Sequence, residues 1–230
     1  MHNYFTAIDI HSHQMQTSAD EVRIYNLDFK DGLLHCFPQR KEGICYSLAL
    51  HPWNHLQMLT DEQKHEFSAC LHLKGIVAVG ETGLDRLRGA DWKIQVENFR
   101  FAAFCAEESR KPLIIHCVRA QDELICLVKE LQITVPIIIH GFNQKQDIAN
   151  KWFDAGFILS FGSALQNPES AASCMLQSKY NHPFFLETDD SHFSIDQIIQ
   201  FAAIRMQKSE EKIRQLVGTN YLRIFAKWNR

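Results

Sequence analysis

Short apolar runs recur along the chain and alternate with polar segments. Eight of these runs are mostly rich in β-branched or aromatic residues and are bounded by glycine, proline or polar residues, a pattern that predicts β-strands. We expect the strands at residues 5–11, 22–27, 44–50, 75–80, 112–116, 136–140, 157–161 and 183–187.

Between the later strands, the spacing of apolar residues changes to the three and four residues of a helix. Three such stripes predict amphipathic helices that pack against a sheet. They are Leu124, Leu127, Val128 and Leu131; Ile195, Ile198, Ile199, Ala202 and Met206; and Tyr221, Ile224, Phe225 and Trp228. Asn167 followed by Pro168 is typical of a helix start. Eight strands that alternate with helices predict an α/β fold, the TIM-type (β/α)8 barrel.

The first connections of this barrel are short. Only residues 14–20 separate His13 from the second predicted strand, whereas a helical crossover between parallel strands needs at least about 10–12 residues. We therefore expect shortened first crossovers, with an irregular connection in place of the first helix. No linker divides the chain, and we expect a single domain over residues 1–230.

Composition and charge restrict the possible functions. The 24 basic and 27 acidic residues give a formal net charge of −3, which argues against a protein coated in positive charge for wrapping nucleic acid. It does not exclude a local phosphate site. No apolar run approaches the roughly 18 residues of a membrane span, and no leader pattern is present. The 7 cysteines form no C-x-x-C pair, which favours reduced thiols and a cytoplasmic location.

Six histidine and acidic residues lie at or just past the carboxyl ends of predicted strands. They are His11, His13, Glu81, His116, His140 and Asp189. In a β/α barrel these strand ends form the rim on which active sites are built. Because side chains alternate along a strand, His11 and His13 point the same way and can bind one ion. Imidazoles and carboxylates gathered at one rim predict a metal site.

Several segments resemble those of the TatD-related metal-dependent deoxyribonucleases. They are His11-Ser12-His13, Leu50-His51-Pro52-Trp53, Gly80-Glu81-Thr82-Gly83-Leu84-Asp85, Pro112-Leu113-Ile114-Ile115-His116-Cys117, His140-Gly141-Phe142, Leu186-Glu187-Thr188-Asp189 and the terminal segment 219–225. They occur in the family's order and cover nearly the whole chain. The resemblance implies an amidohydrolase-type barrel with two divalent metal ions and DNA or a short oligonucleotide as substrate.

The resemblance also implies the ligand sets. The first metal would be held by His11, His13, Glu81 and Asp189, and the second by Glu81, His116 and His140, with Glu81 bridging. A bound cation lowers the pKa of water to about 7, so we expect a metal-bound hydroxide to attack the scissile phosphorus. Glu81 and Asp189 are the predicted catalytic residues, and Asp189 would orient or deprotonate the water. The sequence leaves zinc, manganese, magnesium, iron and nickel open.

The residues around the predicted ligands depart from the family pattern. Residues 86–88 replace a tyrosine-rich segment with Arg-Leu-Arg, Val118 stands where the family has an arginine, and Asp-Ser at 190–191 replaces Ala-Pro. The candidate substrate contacts are His51, Arg86 and Arg119, with Arg88 in the same rim loop as Arg86. For His51, a hydrogen bond that supports the metal site is an equal alternative.

Two other functions fit the same residues. One is a metal-dependent hydrolase of a small amide, lactone or phosphate ester, since one barrel supports many chemistries through its loops. The other is a non-catalytic metal-binding scaffold. The aromatic residues Trp53, Phe142 and Phe161 would favour nucleic acid if they are exposed, because bases stack on aromatic rings. The oligomeric state is left open.

Overall fold

All eight predicted strands are present in the computed structural model, which describes residues 7–16, 18, 20–38, 41–177 and 179–225. The strands are β1 Ala7–Ser12, β2 Glu21–Asp28, β3 Ile44–Leu50, β4 Ile76–Asp85, β5 Leu113–Val118, β6 Ile137–Ile139, β7 Ile158–Phe161 and β8 Phe184–Leu186. Their order in the sheet is their order along the chain. The pairs β1–β2, β3–β4, β4–β5 and β7–β8 are parallel. This is the (β/α)8 topology of TIM-type barrels, as predicted. Residues 5 and 6 of the first predicted strand lie outside the described residues.

Seven α-helices accompany the strands in the described part of the chain. They are α1 Asp61–Cys70, α2 Trp92–Ser109, α3 Gln121–Glu130, α4 Gln146–Asp154, α5 Ala171–Met175, α6 Ile195–Met206 and α7 Glu210–Phe225. The described residues between β1 and β2 contain no helix, and those between β2 and β3 contain only the 3₁₀ turn Leu33–His35. The prediction of shortened first crossovers is confirmed. None of the described helices has the length and apolar character that a membrane span requires.

The chain groups into two compact units. The first comprises Met1–Tyr25, Glu42–Ile44 and Ile139–Arg230, and the second comprises Asn26–Lys41 and Cys45–Ile138. Each unit contains its own part of the parallel sheet and its own ligand-type side chains, and each is described in turn.

In the first unit, α6 and α7 pack against β1 and β8. The predicted stripe of α6 is buried from Ile195 to Met206. On α7, Tyr221, Ile224 and Phe225 are buried, and the Phe225 ring lies 5.8 Å from that of Phe185 in β8. Burial of each large apolar side chain contributes about 1.5–3 kcal/mol, so these two helices anchor β1 and β8. The predicted fourth member of this stripe, Trp228, lies outside the described residues.

In the second unit, β4 and β5 pair along their length and α2 packs against β4. The buried face of α2 consists mainly of Phe99 and small alanines, which let the helix lie close to the strand. Phe67 of α1 is fully buried, with its ring 5.4 Å from that of Phe29 and 5.6 Å from that of Phe101. The core of this unit thus lies between the sheet and the two helices.

Two local predictions were wrong. The strand expected to end at residue 80 continues to Asp85, because Thr82 to Asp85 pair in register with β5. No helix begins at Pro168. Asn167 instead forms a turn in which its Oδ1 accepts from the N–H of Glu169 at 2.9 Å, and α5 begins after Ser170, whose hydroxyl oxygen accepts from the N–H of Ser173 at 3.0 Å.

Candidate metal sites

Three ligand-type side chains of the first unit converge where β1 ends. They are His11, His13 and Asp189, whose donor atoms lie within 4.8 Å of one another. Nε2 of each histidine is 3.5 Å from Oδ1 of Asp189. The His11 side chain is fully buried, whereas the side chains of His13 and Asp189 are 42% and 36% exposed. The group therefore has a buried base and a side that is open to solvent.

The backbone of the first unit holds Asp189 beside the two histidines. Asp189 forms a parallel bridge with Ser12. Its N–H donates to the carbonyl of His11 at 2.9 Å, and its carbonyl accepts from the N–H of His13 at 3.1 Å. Asp189 has a φ of 52°, a left-handed conformation that aspartate adopts more readily than most residues. Because the chain after β8 is attached to the end of β1, residues far apart in sequence meet.

His140 also lies in this cluster, with its ring 4.6 Å from the His11 ring. Its Nδ1 is 3.4 Å from Oε1 of the fully buried Glu187, which also accepts from the N–H of Gly141 at 2.5 Å. The contact between His140 and Glu187 is longer than an ordinary N–H···O hydrogen bond, so it places the charge of Glu187 beside the His140 ring without fixing the ring's orientation. Sequence reasoning missed Glu187, whose only signal was its position beside Thr188 and Asp189 in the resembling segment.

A second buried carboxylate, Asp9, connects β1 to the end of β8. It accepts from the N–H of Thr188 at 3.0 Å and from the Thr188 hydroxyl at 2.7 Å, and Nε of Arg23 is 3.3 Å away. Burial raises the pKa of Asp9 to about 7, although Thr188 and Arg23 both act to lower it. These contacts hold the segment that leads to Asp189.

A second group of ligand-type side chains lies in the second unit and consists of His51, Glu81 and His116. Oε1 of Glu81 is 2.8 Å from Nδ1 of His116 and 3.1 Å from Nε2 of His51. All three residues are buried. Glu81 is therefore the centre of this group.

An irregularity in β4 directs Glu81 toward these histidines. The pairing of β4 with β5 shifts register between Val79 and Thr82, and a bulge of this kind re-aims a side chain. The N–H of Glu81 leaves the ladder and donates to Oδ1 of Asn26 at 2.7 Å. Gly83 then lets the two strands approach, because a Cβ at that position would lie 1.9 Å from the carbonyl oxygen of His116.

The hydrogen bonds of His51 assign its ring tautomer. Nδ1 accepts from the N–H of Trp53 at 3.2 Å, so in the neutral ring the proton is on Nε2, which faces Glu81. A protonated nitrogen cannot ligate a metal ion. The geometry thus favours the hydrogen-bonding role of His51, in which it holds the carboxylate of Glu81, over direct ligation.

His116 has a carboxylate at each ring nitrogen. Nε2 is 3.2 Å from Oδ2 of Asp85, while Nδ1 faces Glu81. Burial raises the pKa of Asp85, but hydrogen bonds from the Leu87 N–H, the Trp53 indole and His116 outweigh it and hold the pKa below its usual value. When His116 donates from Nε2 to the charged Asp85, its Nδ1 and Glu81 Oε1 are two electron-pair donors side by side. This carboxylate–histidine arrangement fits a divalent cation.

The two predicted substrate arginines lie in the second unit. The Arg86 side chain forms an ion pair with Glu123 and lies over the Trp92 ring, 4.2 Å from its centre. Arg119 is exposed and follows β5 with a φ of 51°. The neighbouring Arg88 lies over the ring of Trp53 at 3.9 Å. Within the described residues, the loop after β4 thus contains one arginine in an ion pair, Arg86, and one that forms none, Arg88.

The aromatic residues considered for base stacking divide between core and surface. Phe142 and Phe161 are 2% and 0% exposed and belong to the core. Trp53 is partly exposed, and its indole N–H donates to Oδ2 of Asp85 at 2.8 Å. Of the three, Trp53 is the one that is partly exposed, and the guanidinium group of Arg88 covers a face of its ring.

Strands in (β/α)8 order, with histidines and carboxylates grouped at their ends, define a metal-dependent hydrolase of the β/α-barrel class. Residues 33–226 match the family described as TatD related DNase, and the chain belongs to this family.

Individual relatives agree with this assignment. The chain is 23% identical over 202 residues to the uncharacterized metal-dependent hydrolase YcfH of Escherichia coli K12. The alignment covers 80% of this chain and 75% of YcfH. The chain is 24% identical over 233 residues to an uncharacterized metal-dependent hydrolase of Haemophilus influenzae, covering 89% and 86% respectively. The crystal structure of YJJV, a TatD homolog from Escherichia coli K12, shares the fold with a TM-score of 0.80 at 20% identity, over 98% of this chain and 99% of that one.

Proposed function

We propose that this protein is a TatD-like deoxyribonuclease, a phosphodiesterase that uses two divalent cations to hydrolyse DNA or short oligonucleotides. The observation that carries the proposal is the open side of the group formed by His11, His13 and Asp189, in which two of the three side chains are exposed. Structural metal sites are closed by four protein ligands, whereas catalytic sites keep a position for water or substrate. The open side therefore argues for an enzyme and against a non-catalytic scaffold.

The proposal assigns ligands to each unit. His11, His13 and Asp189 would hold one cation, and Glu81 with His116 would hold another. The resemblance adds His140 to the second set and makes Glu81 a shared ligand, and both points stay predictions. When bound, a divalent cation supplies Lewis acidity and a water with a pKa lowered to about 7. The donors are compatible with zinc, manganese, iron, nickel or magnesium, and the proposal leaves the ion open.

The residues of the chain supply positioning and proton transfer. The side chain of Asp189 is 36% exposed and in contact with solvent, and it is the proposed acceptor of a proton from the attacking water. Glu81 is the second proposed catalytic residue, because its carboxylate lies between His116 and His51 and its backbone N–H is fixed by Oδ1 of Asn26. Arg119, which is exposed, and Arg86, which would exchange its ion pair with Glu123 for a phosphate, are the proposed contacts of the substrate phosphates, since a guanidinium group can bind two phosphate oxygens at once.

The location of the protein remains a prediction. None of the 7 cysteines, all of which lie in the described part of the chain, forms a disulfide. Cysteines stay reduced in a reducing compartment, so the free thiols support the predicted cytoplasmic location.

Cleavage of single-stranded DNA by metal-stripped protein, with manganese, magnesium or zinc added back, tests the proposal. We expect the wild type to cleave and Asp189→Asn to be slower by about 100-fold or more. The asparagine side chain has the size and shape of aspartate but cannot accept a proton from water. Asp190→Asn removes the same charge from the exposed neighbouring residue and should retain activity. If the folded, metal-loaded wild type hydrolyses a small ester but not DNA, the nuclease proposal is wrong and the small-molecule hydrolase is supported.

A further inference from the structure

The loop between β4 and α2 forms a pocket in the second unit. It has a volume of about 370 Å³ and is lined by residues between Asp85 and Gln95. Asp85 lies at its inner end and is 3.2 Å from His116 of the second ligand group. The pocket therefore begins one side chain away from the residues proposed to hold a cation.

Hydrogen bonds keep the backbone of this loop rigid. The buried side chain of Gln95 accepts from the N–H of Asp85 at 2.8 Å and donates to the carbonyls of Asp85 and Ala90 at 3.0 and 2.7 Å. Oδ1 of Asp85 accepts from the N–H groups of Leu87 and Arg88 at 2.7 and 3.1 Å. The N–H of Ala90 donates to the carbonyl of Pro52 at 2.9 Å. A loop fixed in this way loses little conformational entropy when it binds a ligand.

Arg88 presents an available cation at the surface of the loop. Its guanidinium group lies 3.9 Å from the centre of the Trp53 ring, which is itself held by Asp85. Among the described residues, Arg88 makes no ion pair, whereas the nearby Arg86 is paired with Glu123. Stacking uses the face of the guanidinium group and leaves its N–H edge for the oxygens of a phosphate.

The same pocket has an apolar wall. Leu87 is 62% exposed, although it is a large apolar side chain, and Trp92 is partly exposed at the start of α2, with Arg86 over one face of its ring. Apolar and aromatic side chains beside an available arginine match a nucleotide, which has a flat base next to an anion. The carboxylate of Asp85 at the inner end is 3% exposed, and hydrogen bonds from the loop and from Trp53 partly offset its negative charge.

We propose that this pocket, which we call the β4–α2 subsite (Leu87, Arg88 and Trp92, with Trp53 beneath Arg88), binds a phosphate and the adjoining base of single-stranded nucleic acid. The proposal rests on the proposed function and makes it more specific. The substrate is an oligonucleotide that extends beyond the hydrolysed bond, because a small ester or amide has no second phosphate for Arg88 and no base for Leu87 and Trp92.

Binding measured without catalysis tests the subsite. The anisotropy of a fluorescein-labelled oligothymidylate is recorded in EDTA at several salt concentrations, for the wild type, Arg88→Ala and Lys93→Ala. Lys93 is an exposed cation outside the pocket lining, so its variant has the same change in net charge. We expect Arg88→Ala to weaken binding about tenfold and to lower the salt slope by about 0.7, the value for one phosphate contact on a single strand. Lys93→Ala should leave both quantities unchanged.

A kinetic comparison separates this proposal from the proposed function. For the metal-loaded enzyme, Arg88→Ala should lower kcat/KM for an oligonucleotide about tenfold and leave kcat/KM for bis(p-nitrophenyl) phosphate unchanged. Equal binding by the wild type and Arg88→Ala, or an equal loss on both substrates, would overturn the subsite. An enzyme that binds the oligonucleotide through Arg88 but cleaves it with none of the metals supports the subsite and counts against the nuclease.

Discussion

At the scale of single residues, the second ligand group depends on small clearances between strands. Gly83 has a φ of 153°, and a Cβ there would meet the carbonyl oxygen of His116 at 1.9 Å. Oε1 of Glu81, two residues earlier, faces the His116 ring at 2.8 Å. The absence of one methyl group at Gly83 therefore sets how β4 and β5 present Glu81 and His116 to each other.

Replacement of Gly83 by alanine should lower the free energy of unfolding by about 3 kcal/mol, since the methyl group must displace β5 or strain the backbone. Urea unfolding measures this change. Gly218→Ala is the matched control, because Gly218 lies within α7 with nothing within 4 Å of its missing Cβ. There the same substitution should stabilise by about 0.5–1 kcal/mol. A destabilisation of equal size at both glycines would contradict the clearance argument.

Asp85→Asn should weaken metal binding to the second ligand group about 10- to 100-fold, because His116 loses the carboxylate that orients its ring. Calorimetric titration with manganese or zinc measures the affinity. The exposed Asp190→Asn serves as the charge-matched reference and should bind as the wild type does. Unchanged affinity in Asp85→Asn would mean that the ring orientation of His116 does not depend on Asp85.

At the scale of elements, α2 supports both the strand β4 and the loop that precedes the helix. Its N-terminus is capped by Asp91, which accepts from the N–H of Lys93 at 3.0 Å. One turn further, Gln95 bonds back to both ends of the loop, at Asp85 and Ala90. A single buried amide thus connects helix, loop and strand.

Gln95→Ala should cost about 2–3 kcal/mol of stability, because it leaves the N–H of Asp85 and the carbonyls of Asp85, Arg88 and Ala90 without their partner. Loss of protection from hydrogen exchange should be greatest at residues 85–90. The exposed Glu97→Ala on the same helix should change stability by less than about 0.5 kcal/mol. Exchange that stays slow in the loop of Gln95→Ala would show that other contacts hold it.

At the scale of the whole molecule, one buried lysine connects stability to pH. Lys111 is 5% exposed, and burial lowers its pKa from 10.5 to about 8. Between these two values the unfolded chain binds more protons than the folded one, so the free energy of unfolding increases with pH. Below pH 8 the lysine is charged in both states and its burial penalty is constant.

Lys111→Met should remove this dependence. The variant should gain stability over the wild type below pH 8, and the difference between them should shrink by about 3 kcal/mol as the pH rises to 10.5. Urea unfolding of both proteins across this pH range measures the difference between their free energies of unfolding. Groups that titrate alike in both proteins do not contribute to this difference. Lys93→Met, at an exposed site, should give a difference that does not vary with pH. Parallel stability curves for Lys111→Met and the wild type would contradict the prediction.

The sequence by itself determined the strands, the shortened first crossovers and the residue types at the strand ends. These features depend on local information: the period of apolar side chains, the length of a connection and the chemistry of a histidine or carboxylate. The strand Ile44–Leu50 was predicted with its observed bounds for this reason. The ligand-type residues could be identified because strand ends of a β/α barrel lie at one rim.

Only the tertiary structure decided the features that depend on partners far along the chain. Residues 81–85 contain one glycine and two acidic residues, which favour a loop, but pairing with β5 makes them a strand. The tautomer of His51 follows from its contacts with Trp53 and Glu81, and the ion pair with Glu123 distinguishes Arg86 from the neighbouring Arg88. Hydrogen-bond and ion-pair partners are chosen by distance in the folded chain, and no local pattern of residues encodes that distance.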